Sequence, residues 1–437
     1  MYRHWSNWAV VLFFAVILIG ACASGNGAAL FYVSASSGND SNDGSASSPW
    51  RTLEKAARTL RAGTTVIVMP GTYNERVKVL RSGSSGSPIV FRAQTGGARP
   101  ILRGFTIVAE HIRVEGFEIT HLDSVFPNSD DDDDIAGAGV YLEGSAIEVA
   151  NNYIHDTARQ GVILLGSNNT VRSNTIKAVA HAGIWVHGQN QLVENNDISG
   201  IIEHSAKWAK VPSWIDADGV VIEGAGHVIR GNRIHDIFGD DPRNADPHSD
   251  CFQITSGENV TIEQNECSIP PSKKRCYQGA MVSGAVRNLT FMNNVVHDMC
   301  RGFNIVGSIP ITGVSVVNNT FFNLQDAAVE LAGEVRGPIV LNNIFANISH
   351  PYLLAGPTVQ PGNIGNNLAY RTGGRPFPND LWNVDPQFVN AEAGDFHLRS
   401  TSPAIDHGIK LPSVLKDKDG ASRPQGRATD IGAFESF

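Results

Sequence analysis

Charged residues are scarce in this sequence. They make up 18% of the 437 residues, whereas glycine occurs 44 times and asparagine is frequent, often in pairs. Such a composition is typical of turn-rich β structure and argues against a helical bundle. The length suits either two or three compact domains or one elongated repeat array.

A basic stripe and an RNA-binding motif are both missing. Because the formal net charge is −9, we expect no nucleic-acid partner. An acidic polysaccharide remains compatible with this charge, because a local cationic cleft can form on an acidic protein.

The N-terminus carries an apolar run, Ala9–Ile19, that is too short to span a bilayer and is typical of an export signal. Two cleavage patterns compete there: "IGAC", ending at Cys22, resembles a lipobox, and "ACA", ending at Ala23, fits the small-x-small rule. The lone Cys22 favours the first pattern, in which this cysteine is lipidated. We therefore expect an extracytoplasmic protein, either an outer-membrane lipoprotein or a secreted one.

Cysteine occurs only five times. Besides Cys22 there is an even set of four, at spacings that do not match a zinc site. This set is Cys251, Cys267, Cys276 and Cys300. We expect some of them to form disulfides, as in proteins of oxidising compartments, although the sequence leaves their connectivity open.

An internal repeat dominates the chain. An asparagine before an apolar residue recurs in segments such as "NNYI", "SNTI" and "NNTF", at spacings of 22, 22, 36, 33, 29, 25, 24 and 24 residues. The aligned residues are Asn152, Asn174, Asn196, Asn232, Asn265, Asn294, Asn319, Asn343 and Asn367. This periodicity indicates a β-solenoid, whose stacked turns bury what one turn cannot. We expect the asparagine to take left-handed backbone geometry and to bond its counterparts, which is a structural role.

Both ends of the chain resemble a known superfamily. The opening "YVSASSGNDSNDGSASSPWRTLEKAARTL" and the tail motifs "DPQFV", "GDFHL", "SPAIDHG" and "DIGAFES" are similar to secreted right-handed parallel β-helix proteins of the pectate-lyase-like superfamily. The resemblance implies an all-β fold, a right-handed parallel β-helix (solenoid). The segment Leu53–Gly63 predicts an N-terminal capping helix over its open apolar end.

We divide the chain accordingly into four parts. Residues 1–22 are the expected signal peptide of the lipoprotein type, and 31–100 are the N-terminal cap and first turns. Residues 101–370 are the β-helix repeats, and 371–437 are the C-terminal segment that such exoproteins share.

Three long repeat intervals indicate a cleft. Inserts near 200–217, 237–249 and 269–279 each precede a strand, and the acidic insert "DSVFPNSDDDDDIAG" enters at the corresponding place nearer the N-terminus. Loops stacked on one side of a rigid scaffold form the walls of a cleft.

The strands after these inserts align into columns. We align "AGVYLE" from 138, "QGVILL" from 160, "AGIWVH" from 182, "DGVVIE" from 218, "DCFQIT" from 250, "AMVSGA" from 280, "RGFNIV" from 301 and "AAVELA" from 327. Positions that alternate with buried apolar residues should face outwards. The side chains expected to bind substrate in this way are Tyr141, Trp185, His187, Glu223, Gln253 and Asn304, with Ser283 and Glu330 on the same face.

Acidic residues cluster where two of these strands begin. Asp218 and Asp250 fall in one column on adjacent turns, and like charges this close require a cation or a shared proton. One interpretation is a Ca²⁺ site, and the other is an acid/base pair; purely structural turn aspartates are a third. The expected Ca²⁺ ligands are Asp216, Asp218, Asp246 and Asp250.

Several enzyme families of this fold share part of the pattern. "DGVVI" followed by "DCFQI" resembles calcium-dependent pectate lyases, although our alignment has Ser283 where those carry a lysine base. Polygalacturonases have similar Asp-Gly and Asp-Asp-Cys strands, but their second aspartate and their Gly-His-Gly correspond here to Ser249 and Ala280. "DPHSD" resembles the Asp-Pro-His segment of alginate C5-epimerases, which implies that His248 abstracts the C5 proton.

We therefore predict an exported, calcium-dependent lyase that cleaves an acidic, uronate-containing polysaccharide by β-elimination. A polygalacturonase-like hydrolase, a C5-epimerase and a non-catalytic carbohydrate-binding solenoid are the alternatives. His248, Lys273, Lys274 and Arg301 are the candidate bases or charge stabilisers. The protein should be a monomer that contacts a membrane only through its N-terminal lipid.

Replacing Cys22 by Ala tests the lipid anchor. If the cysteine carries the lipid, Cys22→Ala should move the protein from the membrane fraction to the soluble fraction. Fractionation with immunodetection measures this. An unchanged distribution, with processing after Ala23, would contradict lipidation and leave a soluble exoprotein.

Overall fold

The structure is a computed structural model that describes residues 29–120, 137–202, 216–238, 249–269, 276–307, 310–355 and 363–436. Its chain coils as a right-handed parallel β-helix with three faces, so the predicted fold class is confirmed. In the described part of the chain, no helix is long and apolar enough to cross a membrane.

The first face is a parallel sheet in which each strand pairs with those one coil earlier and one coil later. Its strands are Ala29–Val33, Thr64–Val68, Ile89–Ala93, Ile112–Glu115, Glu148–Ala150, Thr170–Arg172, Leu192–Glu194, Val228–Arg230, Gly257–Glu263, Val286–Met292, Ile311–Val317, Ile339–Leu341 and Asn363–Gly365, with Val335–Arg336 paired to Ile311–Val317.

The second and third faces belong to one continuous sheet. The second-face strands are Glu118–Thr120, Tyr153–His155, Thr175–Lys177, Asp197–Ser199, Arg233–His235, Glu266–Ser268, Val295–Met299, Leu368–Thr372 and Leu381–Trp382. The third-face strands are Val140–Leu142, Val162–Leu164, Ala182–Val186, Asp218–Ile222, Asp250–Ile254, Gln278–Val282 and Arg301–Ile305. Longer strands that contribute to both faces are Thr72–Val79, Ile101–Ile107, Thr320–Ala332 and Ile344–Ala355.

The core fills the inside of the coil. Side chains alternate across each strand, so that Val220 and Ile222 point inwards beneath Phe252 and Ile254 of the next coil, and all four are fully buried. A single coil could not bury these side chains, and their stacking explains why the repeat is needed.

A ladder of buried asparagines stacks the coils at the corner between the first and second faces. Asn232 is typical: its Oδ1 accepts from the backbone N–H and the amide of Asn196 at 3.0 and 2.9 Å, and its Nδ2 donates to Asn265 at 3.0 Å. The predicted structural role is therefore confirmed. The left-handed geometry, however, belongs to the preceding position, as at Asn195 (φ 55°) and Asn293 (φ 54°), so our expectation for the ladder residue itself was wrong.

In the later coils, the asparagine that precedes the ladder residue also contacts the C-terminal segment. The side-chain amides of Asn293, Asn318 and Asn342 donate to backbone carbonyls of Lys416, Asp430 and Ile409, at 2.8, 3.1 and 2.8 Å. Each doubled asparagine here therefore binds the next coil with one amide and the C-terminal segment with the other.

The C-terminal segment packs on the outside of the second face. The antiparallel pair Phe388–Asn390 and Asp395–Leu398, joined by the 3₁₀ turn Ala391–Ala393, contributes Phe396 to a cluster separate from the coil interior. Arg423 and Glu435 form a fully buried ion pair at 2.6 Å. The division at residue 371 stays a prediction.

The predicted capping helix is present and covers residues Leu53–Thr59, so it ends earlier than Gly63. The Thr52 side chain accepts from the backbone N–H of Lys55 at 3.1 Å, which caps the first turn. Leu53 and Ala56 are fully buried in the coil interior. The helix thereby shields the apolar interior near the N-terminal coils.

Asn232→Ala should test the ladder. It removes the acceptor for the Asn196 N–H and amide, and each buried group left without a partner costs about 1–3 kcal/mol. We expect the free energy of unfolding to fall by roughly 3 kcal/mol or more, measured by chemical denaturation. Asn74→Ala, at an exposed position, is the control and should change stability little. Equal effects of both variants would contradict the role of the ladder.

Candidate functional site

Outward side chains of the third face form three rows that run along the helix axis. The acid row contains Ala182, Asp218, Asp250, Gln278 and Arg301. The central row contains Thr106, Tyr141, Ile163, Trp185, Val221, Gln253, Met281, Asn304 and Glu330. The edge row contains Glu143, Leu165, His187, Glu223, Thr255 and Ser283.

The acid row brings the two predicted aspartates together. Asp218 and Asp250 lie on adjacent coils and are 3% and 0% exposed. The Asp218 Oδ1 accepts from the backbone N–H of Asp250 at 3.0 Å. Burying two carboxylates side by side is costly unless positive charge, protons or hydrogen bonds stabilise them. Asp216 is half-buried two residues before Asp218.

The register corrects one part of our alignment. Gln253 pairs with Met281, and Asp250 pairs with Gln278, so the strand begins two residues earlier than we aligned it. Ala280 is therefore buried in the core and does not follow Asp250 in the acid row. Ser283 consequently lies in the edge row, and Met281 occupies the position that we had compared with the lysine base.

Arg301 lies at the end of the acid row and is held by two carboxylates. Its Nε lies 2.7 Å from Asp326 and its Nη1 lies 2.9 Å from Glu330. Burial raises the pKa of Glu330, with a further rise from Asp326, and the positive charge of Arg301 opposes both. This arrangement favours a role in charge stabilisation over a role as a base.

The central row is more enclosed than the sequence suggested. Tyr141, Gln253 and Asn304 are 8%, 7% and 1% exposed, although they alternate with core residues as predicted. Gln253 donates to the Ser283 hydroxyl at 2.8 Å, and Asn304 donates to the side-chain carbonyl of Gln278. These amides already form a hydrogen-bonded floor beneath the third face.

Trp185 is the partly exposed aromatic residue of the central row. The ring of His181 packs edge-on against it at 5.4 Å, and the ring of His187 lies 4.7 Å away. His181 accepts from the Gln160 amide at 2.8 Å, and its pKa falls to about 4, because it is partly buried and because Arg159 is nearby. A neutral, half-buried histidine therefore packs against the indole ring.

The edge row contains a coupled histidine and glutamate. His187 Nδ1 lies 2.9 Å from Glu223 Oε2, and the Thr255 hydroxyl donates to Glu223 Oε1 at 2.8 Å. The hydrogen bond from His187 is the largest cause of the lowered pKa of Glu223; burial opposes it, and the hydrogen bond from Thr255 adds to it. Both members are partly exposed, with 25% and 30% of their side-chain surface accessible.

Two disulfides tether the strands of the acid row, which confirms that the four cysteines pair. Cys251, next to Asp250, bonds Cys267 on the second face of the same coil, with a Cα–Cα distance of 6.2 Å. Cys276 bonds Cys300 across 5.0 Å, just ahead of Gln278 and Arg301.

Several predicted residues lie outside the described residues. They are Cys22, Asp246, His248, Lys273 and Lys274. Within the described ranges, no group of three or more histidine, cysteine, aspartate or glutamate side chains is placed to share a metal. Asp218 and Asp250 nevertheless offer carboxylate oxygens, which are the ligands that Ca²⁺ prefers.

The sequence analysis missed three polar residues of this face. Gln278 was missed because the strand was misaligned. The dipeptide "QG" at 278 repeats "QG" at 160 and could have indicated the correct register. Thr255 could have been found as the edge-row neighbour of Glu223. His181 gives no signal in the sequence, because its hydrogen bond with Gln160 depends on packing between coils.

Comparisons with known proteins agree on the fold. Residues 31–269, more than half of the chain, match the family model "Pel9A-like, right handed beta helix region", and residues 213–370 match "Right handed beta helix region". The structure of XylC with xylose shares 13% identity and a TM-score of 0.63, covering 93% of this chain and 98% of that one. Pectate lyase Pel9A shares 19% identity and a TM-score of 0.58, covering 93% and 96%.

One curated relative is the uncharacterized protein YwoF of Bacillus subtilis (strain 168). It is 32% identical over 157 residues, which cover 32% of this chain and 31% of that protein. The chain therefore matches less than a third of that relative's length.

Glu223→Gln should test the stabilising contact between Glu223 and His187 through the pH dependence of the free energy of unfolding. The pKa of Glu223 is lowered from 4.5 in the folded protein, so its contribution to the free energy of unfolding is present above about pH 4.5. That contribution is lost as the pH falls through the lower folded-state pKa. The variant should therefore be less stable than wild type at pH 7, with a difference that shrinks in acid. Denaturation curves measure this, Glu143→Gln at an exposed position of the same row is the control, and a difference independent of pH would contradict the pairing.

Proposed function

The chain belongs to the family of Pel9A-like right-handed β-helix proteins, and we propose that it is an exported enzyme that cleaves a uronate-containing polysaccharide by β-elimination. The observation that carries this proposal is the buried pair of Asp218 and Asp250 on adjacent coils of the third face. Pel9A, which shares the fold, is described as a pectate lyase.

Ca²⁺ is the proposed cofactor. Asp218 and Asp250 would supply two of the six to eight oxygens that this ion takes, and Asp216 stands two residues away in the sequence. When bound, the ion would neutralise the uronate carboxylate and so lower the pKa of the C5 proton. The positive charge would also offset the repulsion between the two buried aspartates.

The roles of the other side chains follow from their positions. Arg301, fixed by Asp326 and Glu330, would stabilise negative charge that develops on the substrate. His248 is two residues before Asp250 in the sequence, and we propose it as the base, with Lys273 and Lys274 as the alternatives. Gln253 and Asn304, enclosed and already hydrogen-bonded, would support the third face beneath the substrate.

Export is the second part of the proposal. The two disulfides support it, because such bonds form and persist in oxidising compartments. The lipidated Cys22 would hold the enzyme at a membrane surface as a monomer.

A screen of uronate polymers tests the reaction type. β-Elimination creates an unsaturated uronate whose double bond is detected by ultraviolet absorbance, and we expect this product from at least one polymer. New reducing ends without that absorbance would instead identify a hydrolase, and C5 inversion without chain cleavage would identify an epimerase. Binding without any product would identify a carbohydrate-binding solenoid.

Asp218→Asn and Asp250→Asn should each abolish the elimination while the fold is retained. The side chains keep their size, and the stability of a solenoid is spread over its coils. Chelation should reproduce the loss in the wild type, and added Ca²⁺ should restore activity. Asp197→Asn, at an exposed position of the second face, is the control and should remain active. Full activity in chelator would contradict the Ca²⁺ site and leave a metal-free acid pair.

A further inference from the structure

The central and edge rows together present an aromatic ring and a carboxylate side by side. Trp185 lies on the strand Ala182–Val186 and His187 directly follows that strand, with the two ring centroids 4.7 Å apart. Glu223 lies on the next coil beside His187, and Thr255 lies one coil further. Because His181 also packs edge-on against Trp185, the indole ring is already ordered for a ligand.

The charge of this cluster is never positive. Glu223 accepts hydrogen bonds from His187 and Thr255, so its carboxylate is ionised at neutral pH. Among the described residues, His187 is the positive group that acts on it, and no lysine or arginine does so. The pair therefore carries a net charge between −1 and 0, depending on whether His187 is protonated.

That charge disfavours a uronate at this position. A uronate carboxylate would meet Glu223 without a compensating cation, and like charges in contact oppose binding. An uncharged sugar would meet no such penalty. Its apolar ring face would pack on Trp185, while its hydroxyls would donate to Glu223 and exchange hydrogen bonds with Thr255.

The cluster is also too far from the acid row to hold the same sugar ring. Asp218 begins the strand Asp218–Ile222 and Glu223 directly follows it, so the two are five residues apart along the chain. At the rise of an extended strand, this corresponds to about 16 Å. A single pyranose ring is shorter than that distance, so the two centres would contact different residues of one polysaccharide chain.

We propose that Trp185, His187, Glu223 and Thr255 form a subsite for an uncharged sugar, so that the substrate is a mixed polysaccharide containing both uronate and neutral residues. This inference rests on the proposed lyase function. It narrows the substrate class from uronate polymers in general to copolymers.

Wild-type enzyme should be assayed on two kinds of polymer. Polygalacturonate and polymannuronate represent the homopolymers, and polymers in which uncharged hexoses or deoxyhexoses alternate with uronate represent the copolymers. We expect kcat/KM to be at least about tenfold higher for a copolymer, the ratio that one lost favourable contact of about 1.4 kcal/mol produces. Equal or faster cleavage of the homopolymers would overturn the subsite while leaving the lyase function intact.

Single-residue variants then test whether this cluster causes the preference for the copolymer. Trp185→Ala should raise KM for the copolymer about tenfold, whereas Trp185→Phe should retain most of the stacking. Glu223→Gln keeps the shape and removes the charge, so it should weaken copolymer cleavage and improve homopolymer cleavage. Glu143→Gln, in the same row but away from Trp185, is the matched control and should leave the preference unchanged. An unchanged preference in Glu223→Gln would overturn the proposal.

If neither kind of polymer is cleaved, the proposed lyase function is wrong. The subsite is then tested by oligosaccharide binding alone. Neutral gluco-, manno-, galacto- and xylo-oligosaccharides would be titrated by calorimetry. Binding of one of them that is lost in Trp185→Ala and kept in Glu143→Gln would support the subsite. Absence of binding by all of them would overturn it.

Discussion

The buried asparagine ladder is the interaction on which the rest of the structure depends. Each ladder amide accepts from the preceding coil and donates towards the next, so the register of successive coils is set at one corner of the helix. A coil can then lengthen elsewhere without shifting its neighbours. The interval grows from 22 residues between Asn174 and Asn196 to 36 between Asn196 and Asn232, yet the strands still pair in step.

Because the register is constant, residues that align in one sequence column lie in one row of side chains along the helix axis. Residues from different coils come to lie about 4.8 Å apart on the third face, close enough for hydrogen bonds and strong electrostatic coupling. At one end of the strands, Asp218 and Asp250 are buried together. At the other end, Glu223 is partly exposed and stabilised by His187 and Thr255. One face thus carries two carboxylate environments, and they suit different ligands.

The periodicity and the end motifs predicted the fold class, the capping helix and the ladder, because these features follow from local patterns that repeat. The arrangement of the outward side chains on the third face was predicted less completely. We began the strand at Ala280 instead of Gln278. The apolar spacing of "AMV" fits an alternating strand as well as that of "QGAM" does. The left-handed residue was assigned to the ladder asparagine, whereas the preceding residue makes that turn. Spacing reveals that a bend recurs, but not which residue of the pair takes the strained angle.

By itself the sequence determined that repeated coils stack, the facing of Trp185, Glu223 and Gln253, and the pairing of Asp218 with Asp250 in one column. These depend on strand alternation and on repeat length, both of which are local properties of the chain. Only the tertiary structure decided which side chains become partners. The hydrogen bond of Asn304 to Gln278, the double ion pair of Arg301 and the hydrogen bond of Gln160 to His181 all join different coils. Such contacts depend on how the coils stack and on the local enclosure of each row, which no single strand encodes.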